Sequence, residues 1–558
     1  MNNSRGSLRS DSSALAILGV AAALRIALWL QQRSLWIDEA RLGLNIASRS
    51  YLSLLLPLDY NQSGPPFFLW IERFVVAVFG VSEAALRLPA LVAGIATVAL
   101  IYPVTQKLFG RRAALLAMAM SAVSPTLIHF SSEVKQYAVE ACCSCAVMYL
   151  GLRWLDEVSN PRRWLAMVAM GGVAAWLALP IVFVLASAGL AVLLAPGLGI
   201  NDRFRRTGYL ALSWGGSFAV AYQLVYHYAR DDAYLRHYWE QAFLTPAGSG
   251  SLLDTLVALR AVLWGPLAID SMIGVANLAT VVFVPAVSIA IALVLGIGVR
   301  RLVRTVGQSG RVIVLGPLLL ALLASTLKLY PISARTMMFY LPTLIALAAA
   351  GVEECAGRIR SPLIRWAVIV AACLPLARIA YGELTNPDPR EHLRPLVASL
   401  RARRQPEEPV YIFAGAIPAW AMYTTDWKSP DMERLDYLRR IAGAGGPAFE
   451  NAPSRGRAVR DEGSGLTYHG PLGLEVYGIP GGLEFRVFGL TNPVPDVGWS
   501  ENEARRIRQV ANPGVWLIFS HFYGPEGILL RALEAMGAQL EYSDFRDGAA
   551  LVHYAFPT

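Results

Sequence analysis

Long unbroken apolar runs constrain this chain more than any other feature. Leu88–Gln106 and Val275–Val299 carry no charge at all over the roughly 20 residues that a bilayer core of about 30 Å asks of a helix. Their apolar character is continuous rather than alternating, which excludes a transmembrane β-barrel. Hydrophobic residues make up 55% of the 558 and charged residues only 16%, well below the roughly one quarter charged of soluble domains. Intrinsic disorder fails on the same count. The expected fold class is an all-α polytopic membrane protein with a small C-terminal α/β domain.

About eleven spans are expected from length and hydropathy. They are Ser13–Leu30, Leu88–Gln106, Ala113–Phe130, Tyr137–Leu155, Trp164–Pro180, Ile181–Ala195, Tyr209–Tyr228, Val275–Val299, Val312–Leu329, Met337–Val352 and Leu363–Ala380. Arg25 is the clear mid-span charge, and the first run reads as a retained anchor rather than a cleaved signal. Pro66–Phe79 is short and carries Glu72 and Arg73 at its middle, so it is expected to lie at the interface. Leaving it out of the crossings places Lys107/Arg111/Arg112, Arg153/Arg162/Arg163, Arg203/Arg205/Arg206, Arg300/Arg301/Arg304/Arg311 and Arg358/Arg360/Arg365 together on the cytoplasmic side. The net charge of +9 follows from those loops, and no nucleic-acid partner is expected. The five cysteines have no metal-ligand spacing and read as small buried hydrophobes.

In this topology 31–87, 131–136, 229–274 and 331–336 are outer loops, and the tail is extracytoplasmic. Composition shifts to Pro and turn residues at Asn386-Pro387-Asp388-Pro389, so the chain divides into a transmembrane part, 1–380, and an α/β part, 381–558. Within the latter, Pro409–Gly415 and Val515–Ser520 read as buried strands, Leu529–Met536 as a helix and Ala549–Tyr554 as a last strand. Gly443–Gly482 reads as loop, and no catalytic motif stands out there.

Three outer-loop features could carry chemistry. Asp38-Glu39, preceded by Trp36, suits a general base that deprotonates a hydroxyl at the membrane surface, though an amphipathic helix with a solvated acidic start fits equally. At the end of the third span, Pro125 interrupts the helix, and His129, Glu133, Lys135 and Tyr137 gather at its lip; a loop of interface anchors is the plain alternative. Arg335 stands alone in a tight outer loop, where it would clamp a phosphate or snorkel to headgroups, with Lys328 a turn earlier. The rings from Tyr226 to Trp239 read first as an interfacial belt and second as a stacking surface for sugar or prenyl chain. Together these parts describe transfer from a lipid phosphate to a hydroxyl, with cations stabilising the leaving group.

The chain resembles the GT-C polyprenyl-phosphate-sugar-dependent glycosyltransferases, close to the protein O-mannosyltransferases and the lipid A aminoarabinose transferase. The resemblance rests on Asp38-Glu39, the Gly64-Pro65-Pro66-Phe67-Phe68 helix start, the Phe79-to-Pro89 and Gly110-to-Ala117 stretches, Ser124-Pro125 to Tyr137, and Arg335 followed by Tyr340-Leu341-Pro342. It covers the first 155 residues well and the rest loosely. It implies that Asp38 is the catalytic base, supported by Glu39, that Glu133 shapes an acceptor or metal site with His129, Tyr137 and Tyr60 beside it, and that Arg335, with Lys135 and Lys328, binds the donor phosphate. Lys135 stands where the family often has Arg, and Tyr60-Asn61-Gln62-Ser63 lacks the lysine of the aminoarabinose branch, which argues against lipid A as acceptor. A divalent metal stays open.

The expected function is an inverting membrane glycosyltransferase of the bacterial inner membrane. Its partners would be membrane lipid, a polyprenyl-phosphate sugar, and an acceptor that is glycan, lipid or protein. A flippase for lipid-linked saccharides and an envelope scaffold are the rival readings.

Overall fold

A computed structural model describes residues 8, 11–231, 238–244, 278–386, 390–405, 408–428, 459–460, 467–468, 475–477, 486–489, 497–511, 513–522 and 526–557. Its helices in the first half are α1 (Ser12–Leu30), α2 (Ile37–Ser48), α3 (Pro66–Phe79), α4 (Glu83–Phe109), α5 (Arg111–Ala122), α6 (Pro125–Phe130) and α7 (Tyr137–Leu155). They continue as α8 (Pro161–Leu177), α9 (Ile181–Leu193), α10 (Ile200–Ala221), α11 (His227–Asp231), α12 (Leu278–Thr305), α13 (Gln308–Thr326), α14 (Leu341–Gly357) and α15 (Pro362–Thr385). Side-chain caps followed by proline start several of them: Asn160 accepts from the amides of Arg162 and Arg163 ahead of α8, and Ser361 from Ile364 in α15. Between α4 and α5, Gly110 at φ 89 makes the sharp reversal that an L side chain resists.

Among the described residues, five helices are long and apolar enough to cross a membrane: α1, α4, α7, α13 and α15. The expected count of eleven is not reached. The expected span Ala113–Phe130 is broken, because Pro125 has no N–H to offer the carbonyl of Ser121, and the chain restarts as the short α6. Met337–Val352 begins as a 3₁₀ turn at Thr336–Phe339, and Tyr209–Tyr228 passes into a π-helical turn at Tyr222–Tyr226. The first residues of the expected Val275–Val299 span lie outside the described residues.

Arg25 explains how the broken span is tolerated. It is fully buried, and its guanidinium donates to the carbonyls of Ser121 at 3.0 Å and Ala122 at 3.2 Å, the orphaned end of α5. Both terminal nitrogens of its guanidinium are therefore engaged by backbone. Arg25→Leu is expected to lower stability by about 1.5–3 kcal/mol, the worth of a charge-assisted hydrogen bond, read as a drop in the detergent-solubilised melting temperature.

Helix α3 matches its expected bounds. At 1.5 Å per residue its 14 residues span about 21 Å, short of a bilayer core. Glu72 within it is fully buried, and burial, with the Glu39 charge adding, holds its carboxyl neutral, well above the usual carboxylate range.

The last long helix runs past the expected boundary at 380 to Thr385. Beyond it come α16 (Leu393–Arg403), β1 (Val410–Ile412), α17 (Ile417–Thr424), β2 (Val459–Arg460), β3 (Thr467–Tyr468), β4 (Glu475–Tyr477) and β5 (Arg486–Gly489). They are followed by α18 (Val497–Val510), β6 (Gly514–Ser520), α19 (Glu526–Ala535), β7 (Gln539–Arg546) and β8 (Ala549–Ala555). The expected loop Gly443–Gly482 therefore contains three short strands. The main sheet has the order β4-β5-β1-β6-β8-β7, with β5, β1 and β6 parallel and the remaining pairs antiparallel. Alternation along β6 puts Val515, Leu517 and Phe519 into a core with Leu529 and Leu533 of α19. Trp516 and Ile518 face the other way and join the large core shared with α16, α17 and the membrane helices. The tail is thus docked on the membrane part.

Candidate active site

Asp38 and Glu39 occupy the first turn of α2, where the helix dipole favours negative charge. Consecutive helical residues point about 100° apart, and the two carboxylates serve different partners. Asp38 Oδ2 lies 3.2 Å from Lys135 Nζ and 3.5 Å from an Arg335 guanidinium nitrogen, while Oδ1 accepts from Gln62 Nε2 at 3.2 Å. Gln62 Oε1 in turn accepts from Lys135 at 2.8 Å, which closes a ring of polar contacts. Burial alone would push the Asp38 carboxyl up, but the charges of Lys135, Arg335 and Arg41 and the Gln62 hydrogen bond outweigh it and bring the pKa down to about 2. The Asp38 side chain remains 21% exposed, so it is open to a ligand.

Glu39 faces the interior. Arg87 of α4 grips it bidentately, with nitrogen–oxygen distances of 2.9 and 2.6 Å, and both side chains are 2% exposed. Arg87 also donates to the carbonyl of Arg33 at 2.7 Å, and Glu39 Oε1 accepts from the amide of Val134 at 2.8 Å. Glu39 therefore ties α2 to α4 and to the loop 131–136. It does not face the exposed side of Asp38. Gly94 permits this junction, because a Cβ there would collide with the Ser131 side chain.

Loop 131–136 divides the expected lip in two. Lys135 turns to Asp38, and Tyr137 follows at the start of α7, its ring edge-on to Phe130 at 5.1 Å. Glu133 turns the opposite way: it accepts from Trp36 Nε1 at 3.0 Å and lies 3.6 Å from Arg390 of the tail. His129 sits on that side too, with Nδ1 at 2.7 Å from Glu383 and Nε2 at 3.0 Å from Arg390. A narrow cleft runs between these residues, lined by Arg33, Trp36, His129, Glu133 and Arg390 and reaching Glu39 and Arg87. The residues expected around a single cavity are thus distributed over two neighbouring compartments, one on each side of loop 131–136.

Arg335 reaches Asp38 from the short loop before α14, and two rings hold it. Its guanidinium donates to Tyr238 Oη at 2.6 Å and lies 4.6 Å from the Trp239 ring centroid. These two aromatic residues, expected first in an interfacial belt, also clasp the arginine. The belt's Tyr234 and His237 lie outside the described residues. Tyr60 is buried at φ 61 and its carbonyl accepts from Gln62. Lys328 is exposed at φ 56 just after α13, and among the described residues no contact joins it to the Asp38 cluster.

Asp38 is already flanked by two cations, and Glu133 and Glu383 approach opposite nitrogens of the His129 ring, so their ligating atoms diverge. Among the described residues no group of three His, Cys, Asp or Glu converges on one point.

Sequence reasoning gave no role to Gln62, Arg87, Glu383, Arg390 or Tyr423. Arg87 had a usable signal, a charge at the edge of an apolar run that must find a partner. Gln62 depends on contacts across 24 and 73 residues, and Glu383, Arg390 and Tyr423 on contacts across more than two hundred, with no local signature.

Comparison with known proteins follows this geometry. Residues 63–221 match the model of the dolichyl-phosphate-mannose-protein mannosyltransferase family. In structure the chain is similar to ArnT from Cupriavidus metallidurans in the apo state, at 13% identity and TM-score 0.50, covering 97% of this chain and 98% of that one. It is equally similar to the same protein bound to undecaprenyl phosphate, at 12% identity and TM-score 0.50, covering 97% of each. No curated protein matches in sequence. The family match and the shared fold bear out the expected resemblance to GT-C glycosyltransferases and a location in the membrane.

Proposed function

We propose that this chain transfers one sugar from a polyprenyl phosphate to an acceptor hydroxyl on the extracytoplasmic face of a bacterial inner membrane. The observation that carries the reading is the convergence of Lys135 and Arg335 on the Asp38 carboxylate. It joins a proton acceptor to two cations suited to a phosphate leaving group.

In the reaction, the acceptor O–H gives its proton to Asp38 as its oxygen bonds to the anomeric carbon. The bond from that carbon to the phosphate oxygen breaks, and its electron pair stays with the phosphate. Attack opposite the leaving group inverts the anomeric centre. A carboxylate with a pKa of about 2 is a weak base. The donor phosphate competes with Asp38 for Arg335 and Lys135, and as those cations shift towards it the carboxylate becomes more basic. Donor binding thus primes the base. Tyr60 and Tyr137 border this side and are offered to the substrates; His129 and Glu133 belong to the second compartment, towards the tail. Glu39 acts by holding α2 in place.

The test is transfer from a synthetic polyprenyl-phosphate hexose or pentose in proteoliposomes. Arg335→Ala is expected to lower kcat/KM for the donor about 10–100-fold, the loss of one charge-assisted contact, with partial recovery in Arg335→Lys. Wild-type protein that consumes no such donor, and that copurifies with no prenyl phosphate by mass spectrometry, would refute the function.

A further inference from the structure

Helix α2 carries the proposed base yet has no cap of its own. Its N-cap residue, Trp36, makes no side-chain hydrogen bond to the helix. The amide of Ile37 donates instead to Glu391 Oε2 at 2.8 Å, from 354 residues further along the chain. Glu391 is 3% exposed and is itself held: Ser520 Oγ donates to Oε2 at 3.1 Å, and His521 Nδ1 lies 2.7 Å from Oε1. His521 adopts φ 54, a conformation uncommon for a residue other than glycine.

Ser520 ends β6 and His521 follows it, beside the loop that follows β1. In open α/β sheets the crevice at the carboxyl ends of parallel strands is where ligands bind. Here the start of α2 fills that position. Neighbouring contacts hold the same segment: the Leu35 amide donates to Tyr423 Oη at 2.6 Å, Tyr423 donates to Glu83 at 3.0 Å, and Arg394 donates to Glu83 at 2.8 Å. Met422 of α17 packs against Gly43.

We infer that the tail domain is a positioning element for the base, in which Glu391, aimed by Ser520 and His521, fixes the first turn of α2 and thereby the direction of the Asp38 carboxylate. The inference rests on Asp38 being the base. Asp38 directly follows the capped residue, so a frayed first turn swings its side chain away from the reacting hydroxyl. Misplacement by about 1 Å is enough to cost about 10²-fold in rate. Lys135 and Arg335 come from other elements and stay in place, so donor binding is spared.

The experiment uses the full chain. Glu391→Ala is expected to reduce kcat about 10–100-fold, to leave the donor KM within about twofold, and to speed hydrogen exchange at the Ile37 amide. Glu391→Gln, which keeps an oxygen acceptor, should restore much of kcat. His521→Ala, which leaves the cap but loosens it, should lose less in the same direction and serves if Glu391→Ala does not fold. Parental kcat in Glu391→Ala, or a loss in which donor KM rises as steeply as kcat falls, would overturn the inference. Failure of the base assignment shows separately, as parental turnover in Asp38→Asn while Ile37 exchange still responds to Glu391.

Discussion

Asp38→Asn is expected to lose about 10²–10⁴-fold in kcat, the usual contribution of a general base, while binding the donor at least as tightly as the parent. The second half of this result follows from the geometry. With the charge at position 38 removed, Lys135 and Arg335 are no longer engaged by a carboxylate and are released to the phosphate. Steady-state kinetics beside a donor-binding titration separates the two effects. Parental turnover would remove Asp38 from the mechanism, and weakened donor binding would refute the competition for its cations. The pH profile adds a signed test. A depressed pKa keeps Asp38 ionised until pH falls towards about 2, so kcat/KM, which reports the free enzyme, should show no acid limb near the ordinary value of 3.8. In the donor complex the cations are drawn off, so the acid limb of kcat should lie higher.

The largest effect on stability should come from Arg87→Ala. It leaves Glu39 charged, buried and without its bidentate partner, and breaking a buried pair in this way costs about 3–5 kcal/mol. The double variant Glu39→Leu with Arg87→Met should recover much of that loss, because it removes both charges. It should not recover turnover, since the tie between α2, α4 and loop 131–136 goes with it. Melting curves of the single and double variants in one detergent check the first statement, and donor turnover checks the second. A single variant as stable as the parent would mean that the pair is not what locks the junction.

These outcomes bear on how much the sequence disclosed. Hydropathy located the helices well where a run was long and uninterrupted, as in α7, whose expected and observed bounds coincide. It drew one span across Pro125, where the proline marked an interruption but hydropathy gave no sign that a distant arginine meets the exposed carbonyls. The doublet Asp38-Glu39 was visible as chemistry, but not its division of labour, which depends on a 100° turn and on which side Arg87 approaches. The same holds at the lip, where loop geometry sends Lys135 and Glu133 into different compartments. Tyr238 and Trp239 were legible as rings near a bilayer, but their contact with Arg335, which lies over both, had no local signature.

The cap on Ile37 also orders events during synthesis. The helix that bears the proposed base leaves the ribosome ahead of the carboxylate that secures its first turn, which follows 354 residues later. The side chains that aim that carboxylate, Ser520 and His521, are later still. Closure across such a distance is entropically slow and waits until Glu391 has been made. A nascent chain that has not yet reached Glu391, Ser520 and His521 is therefore expected to lack the full rate of the proposed reaction.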